Sequence, residues 1–216
     1  QTKTLIIASG KIPRHLNVPG EKEFLGKGII YCATCDAPLF KDKEVAVVGG
    51  GNSALDATLQ LDKLAKKIYL INLMDAYTET ADKIMIAKVE ASPKIEVMFQ
   101  SAIKEIKGDK VVRSITVENT QDKTQKEIMV QGVFVEIGSE PSVGYLPPEL
   151  HLTDWKEIII DAHNMTSVPG IFAAGDVTTV IEKQVVIAAG EGAKAALGAS
   201  RFLITNHYAA SPSGQH

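Results

Sequence analysis

Short apolar runs alternate with a glycine turn and helical repeats through the middle of the chain. An apolar run at 44–48 ends at a glycine cluster, and residues 54–64 then place apolar side chains at helical spacing. A branched run at 68–71 follows, so strand, turn, helix and strand form one unit with a right-handed crossover. This pattern predicts an α/β fold, a Rossmann-like three-layer nucleotide-binding domain with a parallel sheet. The pattern continues with a helix at 80–91, stopped by Pro93, and a strand at 95–99.

The pattern changes after residue 100. Runs at 103–106, 111–117 and 127–130 are short and alternating, and polar turns separate them, which predicts an antiparallel meander. Residues 132–138 return to a buried strand. Glycine, serine and proline then accumulate at about 138–148, and we place a domain boundary there.

The two ends of the chain carry a second set of elements. Leu5 to Ala8 are apolar and predict a short buried strand, and proline and glycine predict a linker or loop at 11–27. Apolar runs at 158–160 and 170–176 predict two more strands. An alanine-rich helix is predicted at 184–206, with glycines that would let it pack closely on another element, namely Gly190, Gly192 and Gly198.

Composition and charge narrow the class of protein. The 216 residues carry a formal net charge of −3 and no cluster of Lys or Arg, so nucleic acid is not an expected partner. No run reaches the roughly 18 apolar residues of a membrane span, and no basic-then-apolar leader is visible. We therefore expect a cytoplasmic protein with no membrane partner. The chain starts without Met in the middle of an apolar strand, so we expect that its N-terminus is a cut.

The glycine cluster after the first apolar run is the first candidate site. Gly49 permits a tight turn, Gly51 lets the backbone approach a pyrophosphate, and the small Ala54 lets helix and strand close up. Asn52 and Ser53 lie at the start of the helix, whose N–H groups would face the phosphates. An ordinary strand-to-helix turn is the alternative. The motif follows a strand and opens a helix, which favours a dinucleotide site.

The end of the next strand bears on the choice of nicotinamide. An acidic residue there binds a ribose 2′-hydroxyl, and arginines bind a 2′-phosphate. The sequence has neither at the key position, although Asn72 could bond to a hydroxyl. The missing arginines favour NADH, but NADPH stays open.

Cys32 and Cys35 are the only two cysteines, and Asp36 directly follows them. At this spacing one thiol can be activated below the free pKa of about 8.5 and attack a disulfide, and the second then releases the product. A zinc site would need a second such pair or histidines at ligand spacing, and the five histidines are scattered, so no metal site is expected. Two unreactive core cysteines are a further alternative. Asp36 could accept or supply protons, or it is only a solvated turn carboxylate.

Three segments in the same order and spacing carry a resemblance to a known family. Residues 31–36 (YCATCD), 48–54 (VGGGNSA) and 172–177 (FAAGDV) resemble the low-molecular-weight thioredoxin reductases. They are also similar to the reductase half of the alkyl hydroperoxide reductase flavoprotein. The resemblance covers nearly the whole chain, and it implies a pyridine nucleotide–disulfide oxidoreductase that uses FAD together with NADPH or NADH.

The resemblance also implies roles for particular residues. Because Cys35 is the cysteine nearer Asp36, we expect Cys35 to face the flavin and Cys32 to attack the partner disulfide. Further cofactor-binding positions would be Gly175 and Asp176 at the FAD ribitol and pyrophosphate, Lys183, Gln184 and Val185 facing the flavin ring, and Ser9 and Gly10 closing the FAD site. Ile137 and Gly138 are also predicted to bind a cofactor. Without the resemblance, the 175–176 pair is a strand end with a polar turn, and the helix after it is a packing helix.

The family pattern divides the chain into four parts. These are the tail of an FAD-binding domain with a linker at 1–22, an NAD(P)H-binding domain with the dithiol at 23–138, a closing FAD-domain segment at 139–210, and a tail at 211–216 that we expect to be disordered. The sequence departs from the family because the N-terminal FAD half and the arginine-rich NADPH signature are absent. We therefore expect the chain alone to carry little flavin and to react slowly with NAD(P)H.

The resulting hypothesis is a thioredoxin-reductase-like flavoprotein that passes electrons from NAD(P)H through FAD and the Cys32–Cys35 dithiol to a protein disulfide. The partner would be a thioredoxin-like or peroxiredoxin-like protein, and the full-length enzyme would be a homodimer whose nicotinamide domain rotates. One alternative is the peroxiredoxin-reducing alkyl hydroperoxide reductase flavoprotein. The other is a non-catalytic module that binds a dinucleotide.

Overall fold

The computed structural model describes residues 2–209, with side chains through residue 206, so the predicted tail at 211–216 lies outside the described residues. The chain forms two compact units. One contains the residues before Pro13 and after Gly138, and the other runs from Pro13 to Gly138. The structure thus groups 13–22 with the second unit, and the naming of the two units as FAD and NAD(P)H domains stays a prediction.

The elements follow one another in this order: β1 (Leu5–Ile7), β2 (Lys11–Pro13), β3 (Ile29–Ile30), α1 (Ala33–Asp36), β4 (Glu44–Val48), α2 (Asn52–Asp62), β5 (Lys67–Ile71), α3 (Lys83–Ala91), β6 (Ile95–Met98), β7 (Ser101–Gly108), β8 (Val112–Asn119), β9 (Gln125–Met129), β10 (Gly132–Val135), β11 (Ser139–Pro141), β12 (Ile171–Ala173) and α4 (Val185–Ala209). Short 3₁₀ turns follow α1 at Ala37–Phe40 and β12 at Gly175–Val177.

A five-stranded parallel sheet organises the second unit. Its strand order is β3-β10-β4-β5-β6, so β4 lies between β10 and β5. Helix α2 connects β4 to β5. Strand β10 pairs with β4 on its other side and comes much later in the sequence, after β6 and the strands β7, β8 and β9. The carboxyl ends of β4 and β10 therefore border the crevice where dinucleotides bind in open parallel sheets.

The sheet is covered on both faces. Val45 and Val47 pack with the helices on one face, while Ala46 and Val48 pack with the meander β7-β8-β9 on the other. This separation follows from the alternation of side chains along a strand. Leu55 of α2 is fully buried on the helical face, where each such side chain contributes about 2 kcal/mol. The predicted α/β fold with a three-layer Rossmann-like domain and an antiparallel meander is confirmed.

Helix α3 begins later than the sequence pattern predicts. The Asp82 carboxylate accepts hydrogen bonds from the N–H groups of Ile84 and Met85, at 2.6 and 3.2 Å, so it caps the helix at its true start. The predicted start at residue 80 is wrong by three positions, because the Asp82 cap sets the first helical residue at Lys83.

The first unit contains the parallel pair β1 and β12, with helix α4 packed on β12. The strand at 5–8 was predicted to be buried, but Leu5 and Ile6 are exposed. A strand at 158–160 was also predicted and is wrong, because Ile158 makes only isolated bridges to Leu152 and Thr178.

None of the helices within the described residues combines the length and the apolar character that a membrane span needs.

Close packing of α4 is provided by only one of the three predicted glycines. A Cβ added at Gly198 would lie 2.7 Å from the His163 carbonyl oxygen and 2.9 Å from the Phe172 ring. Added Cβ atoms at Gly190 and Gly192 would meet no described atom within 4 Å, so the prediction was wrong for these two.

Candidate redox and nucleotide sites

The two cysteines form a disulfide across a single helical turn. Cys32 precedes α1 in extended backbone, Cys35 lies within it, and their Cα atoms are 5.4 Å apart. The N–H groups of Cys35 and Asp36 both donate to the Cys32 carbonyl oxygen at 3.2 Å, which closes the turn. Pro38 is compatible with the next turn because it occupies one of the first two positions of that turn. Cys35 is exposed, whereas Cys32 and Asp36 are half-buried.

The residue before the dithiol belongs to a hydrogen-bonded network that the sequence did not reveal. The Tyr31 hydroxyl donates to the Glu21 carboxylate at 2.7 Å and lies 2.8 Å from Nδ1 of His15. The Glu21 carboxylate, which is almost completely buried, also accepts the N–H groups of Leu16 and Asn17, each at 2.8 Å. The network fixes the segment before β3 to the strand that leads into the dithiol. No sequence pattern pointed to it.

The glycine turn after β4 has the conformation that the dinucleotide motif requires. Gly49 has φ 143°, and a side chain there would overlap the Glu136 carbonyl oxygen and lie 2.9 Å from Cβ of Ala54. Gly51 precedes the eleven-residue α2 in extended backbone, so the free N–H groups of the first turn lie beside the end of β4. Ala54 is fully buried, which allows the close approach of helix and strand.

Asn52 and Ser53 differ in their surroundings, although both lie in the first turn of α2. Ser53 is exposed. The Asn52 side-chain N–H donates to the Thr80 carbonyl oxygen at 3.1 Å, and its oxygen accepts the Asp82 N–H at 2.8 Å. Asn52 therefore ties the loop after β5 to the glycine turn, and its role toward a nucleotide stays a prediction.

The Asn72 amide is occupied by contacts within its own loop. Asn72 is buried. Its side-chain N–H donates to the Ala76 carbonyl oxygen at 2.8 Å, and its side-chain oxygen accepts the Met74 N–H at 3.1 Å. These bonds fold residues 72–76 into a compact turn that exposes Leu73 and Met74. A bond from Asn72 to a ribose hydroxyl stays a prediction, and the structure gives this residue a loop-fixing role as well.

The end of β10 contributes three residues near the same crevice. Gly138 has φ 92° and its carbonyl oxygen accepts the Arg14 N–H at 3.0 Å, and Ile137 packs with the meander side of the sheet. Glu136 was not singled out from the sequence. Its signal was nevertheless visible, because it is the only charged residue in the otherwise apolar run at 132–137.

In the first unit the structure brings two of the predicted FAD segments together. β1 and β12 are parallel, and the Ala174 N–H donates to the Ile7 carbonyl oxygen at 2.9 Å. Their carboxyl ends are therefore neighbours, and the residues that follow them are Ser9, Gly10, Gly175 and Asp176. The two glycines have φ 66° and 75°, and the backbone turns away from the sheet at both.

Lys183 lies in an ion-paired cluster before α4. Its Nζ is 3.1 Å from Oε1 of Glu157 and donates to the Thr178 carbonyl oxygen at 2.7 Å, while Nζ of Lys11 is 2.7 Å from the same Oε1. Burial alone would raise the pKa of Glu157, but the two lysines outweigh it and hold this pKa below its usual range. The helix start after Lys183 is open, with Gln184 and Val185 exposed.

Two comparisons with solved structures agree with this geometry. The chain is 36% identical to thioredoxin reductase from Streptococcus pyogenes MGAS5005, with a TM-score of 0.86 over 94% of this chain and 66% of that one. It is 38% identical to thioredoxin reductase from Giardia duodenalis, with a TM-score of 0.83 over 93% of this chain and 66% of that one.

Comparisons of sequence point to the same class, a dinucleotide-binding fold with a disulfide beside it. A family model described as "Pyridine nucleotide-disulphide oxidoreductase" matches residues 1–192, and the chain belongs to this family. Members of the family use FAD and NAD(P)H. The chain is 41% identical to a "NADH dehydrogenase" from Bacillus subtilis and 42% identical to an alkyl hydroperoxide reductase component from Pseudomonas putida. The two matches include 95% and 94% of this chain, respectively. They include only 40% and 39% of the length of the two relatives, so the chain spans less than half of each.

Proposed function

We propose that the chain carries the dithiol and nicotinamide sites of a thioredoxin-reductase-like flavoprotein, which passes electrons from NAD(P)H through FAD to a protein disulfide. The observation that supports this most directly is the Cys32–Cys35 disulfide, which lies on an accessible turn of the same unit as the glycine turn after β4. A structural staple would gain little from closing so short a loop, because the entropic benefit of a disulfide grows with loop length.

The nicotinamide cofactor fits the crevice at the carboxyl ends of β4 and β10. Gly49 and Gly51 leave the backbone free of side chains there, and the first turn of α2 offers N–H groups to a pyrophosphate. The residues proposed to line this site are Gly49, Gly51, Asn52, Ser53, Ala54, Asn72, Ile137 and Gly138.

The FAD-facing residues of the first unit also fit their proposed role. Bound FAD would supply the transfer of electrons between a nicotinamide and a disulfide. The neighbouring strand ends at Ser9–Gly10 and Gly175–Asp176 are proposed to make backbone contacts to its chain of phosphates and ribitol, and an added Cβ at Gly10 would meet no described atom within 4 Å. The start of α4, where Gln184 and Val185 are exposed, would offer N–H groups to the flavin ring, with Lys183 held beside it in its ion pair with Glu157.

The dithiol reaction follows from the spacing of the two sulfurs. The Cys32 thiolate attacks the partner disulfide, forms a mixed disulfide and releases one partner sulfur as thiolate. Cys35 then attacks the Cys32 sulfur, which releases the second partner sulfur and restores the Cys32–Cys35 disulfide. Asp36, next to Cys35, is proposed to accept and return the proton of that thiol. The assignment of Cys35 to the flavin and Cys32 to the partner rests on the position of Cys35 directly before Asp36.

The proposed function is tested by following NADH or NADPH oxidation in the presence of added FAD and an oxidised thioredoxin. We expect slow oxidation with one thiol pair formed on thioredoxin per nicotinamide, and loss of this coupling in both Cys32→Ser and Cys35→Ser. Equal oxidation in all three proteins, with thioredoxin left oxidised, would contradict a dithiol relay. Nucleotide binding without any disulfide exchange would instead favour a non-catalytic binding module.

A second candidate function is the reduction of a peroxiredoxin. The relatives named as components of alkyl hydroperoxide reductase are 42% and 43% identical in Pseudomonas putida and Pseudomonas aeruginosa, against 36% and 38% for the two thioredoxin reductases. Replacing thioredoxin by an oxidised peroxiredoxin in the same assay separates the two partners. A homodimeric state remains part of both proposals.

A further inference from the structure

Strand alternation places the Glu136 side chain on the face of the sheet that carries the dithiol. Phe134, two residues earlier, is fully buried in one cluster with Ala33 of α1 and Ala54 of α2. Since residues two apart on a strand share a face, Glu136 also points toward these helices. Its N–H donates to the Val48 carbonyl oxygen at 2.9 Å, so the backbone still follows the sheet at this position.

Three influences on the pKa of the Glu136 carboxyl are evident, namely burial, the Ala33 N–H and the Asp56 charge. The Ala33 N–H, between the two cysteines, lies within hydrogen-bonding reach of it, and the Asp56 carboxylate on α2 acts on it as a like charge. Helix α1 itself carries one carboxylate, that of Asp36 directly after Cys35.

A second set of contacts ties Asp56 to the dithiol turn. The Gln60 side-chain N–H donates to the Asp56 carboxylate at 2.7 Å and lies 3.5 Å from the Thr34 hydroxyl oxygen. Thr34 stands between Cys32 and Cys35, so α2 holds its own acidic residue beside the turn. Two carboxylates, Glu136 and Asp56, therefore flank the same redox turn from the sheet and from the helix.

The protonation of Glu136 changes in the neutral range. Burial raises the pKa of its carboxyl to about 7, the Asp56 charge acts in the same direction, and the Ala33 N–H opposes both. Glu136 therefore gains or loses a negative charge close to the pH at which thiols of redox pairs ionise.

We propose that Glu136 is a positioning residue of the redox turn, and that its charge sets the thiolate fraction of the reduced Cys32–Cys35 pair at neutral pH. This deepens the proposed function and rests on its assignment of the dithiol as the reacting group. A thiolate next to an ionised carboxylate is disfavoured, because like charges raise the pKa of an acid. Loss of the Glu136 charge should therefore lower the pKa of the more acidic thiol.

The test uses the whole 216-residue chain with Glu136→Gln, because glutamine keeps the shape and an oxygen acceptor for the Ala33 N–H but carries no charge. The chain is reduced with dithiothreitol and desalted, and the rate of alkylation by iodoacetamide is measured from pH 5 to 10. We expect the apparent pKa of the reactive thiol to fall by about half a unit to one unit, and alkylation at pH 7 to become about 3- to 10-fold faster.

The matched control is Glu90→Gln, which removes an exposed carboxylate from α3 of the same unit. Its alkylation profile should overlay that of the unsubstituted chain. A second measurement, carboxyl ¹³C NMR of the oxidised chain, should show one glutamate titrating near pH 7 that is absent in Glu136→Gln. This readout reports the charge directly and does not depend on thiol reactivity.

An unchanged or raised thiol pKa in a folded Glu136→Gln chain would overturn the proposal, and so would a Glu136 carboxyl that titrates near pH 4. These measurements need neither nucleotide nor flavin. A chain that shows the expected thiol shift but fails to reduce protein disulfides would contradict the proposed function and leave the coupling between Glu136 and the dithiol in place.

Discussion

The Tyr31 hydroxyl donates a 2.7 Å hydrogen bond to the buried Glu21 carboxylate, one residue before the dithiol. Because the single hydroxyl proton goes to Glu21, Nδ1 of His15 must be the donor in its 2.8 Å contact with the same oxygen. Burial raises the pKa of Tyr31, and the bond to Glu21 adds to this effect, so the hydroxyl stays protonated. The three side chains thus form a directed chain of hydrogen bonds beside Cys32.

Tyr31→Phe should destabilise the second unit by about 1–3 kcal/mol, because the buried Glu21 carboxylate loses a donor. Tyr77→Phe is the matched control in the same unit, since the buried Tyr77 hydroxyl has no hydrogen-bond partner among the described residues. That control should be neutral or slightly stabilising. Urea unfolding of both variants measures the difference, and equal stabilities would show that the Tyr31 bond contributes nothing.

Glu21→Gln should lower stability in a pH-dependent way. Burial alone would raise the pKa of Glu21, but the hydrogen bonds from Tyr31, Leu16 and Asn17 outweigh it and hold this pKa below its usual range. A lowered folded-state pKa stabilises the fold above the unfolded value of about 4.3 and loses this effect as the pH falls. Unfolding curves should therefore separate the two proteins at pH 7 and converge toward pH 3. A constant gap across this range would contradict a charged, hydrogen-bonded Glu21.

The sequence predicted the sheet of the second unit well because its signals are local. Branched apolar runs, a glycine turn and helical spacing determine β4, α2 and β5 without reference to the rest of the chain. Asp82 and Ile158 show where this approach fails. A cap shifts a helix start by competing for the first N–H groups, and a branched run forms a strand only when a neighbouring strand pairs with it.

Only those residues of the candidate site that belong to a sequence motif could be predicted. Cys32, Cys35 and the glycine turn stand in recognisable spacings. Glu21 lies 10 residues from Tyr31 in the sequence, and Glu136 lies 101 residues from Cys35. Only folding brings these two carboxylates near the dithiol turn. Asn72 was predicted from its position after β5, but its position did not reveal that both ends of its amide hold the loop.

The loop after β5 should favour NADH over NADPH. No lysine or arginine occurs at 72–82, whereas Asp75 and Glu79 add negative charge that would repel a 2′-phosphate. Calorimetric titration of the chain should give tighter binding of NADH. Equal or tighter binding of NADPH would contradict this prediction.

Met74→Arg should raise the affinity for NADPH by roughly 10- to 150-fold, because one charge-assisted hydrogen bond to a phosphate contributes about 1.5–3 kcal/mol. Met74 is exposed, so the substitution should leave the fold intact. Met129→Arg is the control, since Met129 is equally exposed on β9 of the meander. A similar gain in both variants would indicate a general charge effect.

Trapping of a mixed disulfide tests most directly whether Cys32–Cys35 exchanges with an outside protein disulfide. Reduced Cys35→Ser is mixed with a thioredoxin or peroxiredoxin that keeps a single redox cysteine, activated as its mixed disulfide with thionitrobenzoate so that no partner thiol can reverse the exchange. The products are separated on a non-reducing gel and identified by mass spectrometry. We predict a covalent 1:1 adduct through Cys32 in this variant, and its rapid release as free partner thiols in the unsubstituted chain. Absence of any adduct from both single-cysteine variants, with either partner, would contradict this exchange.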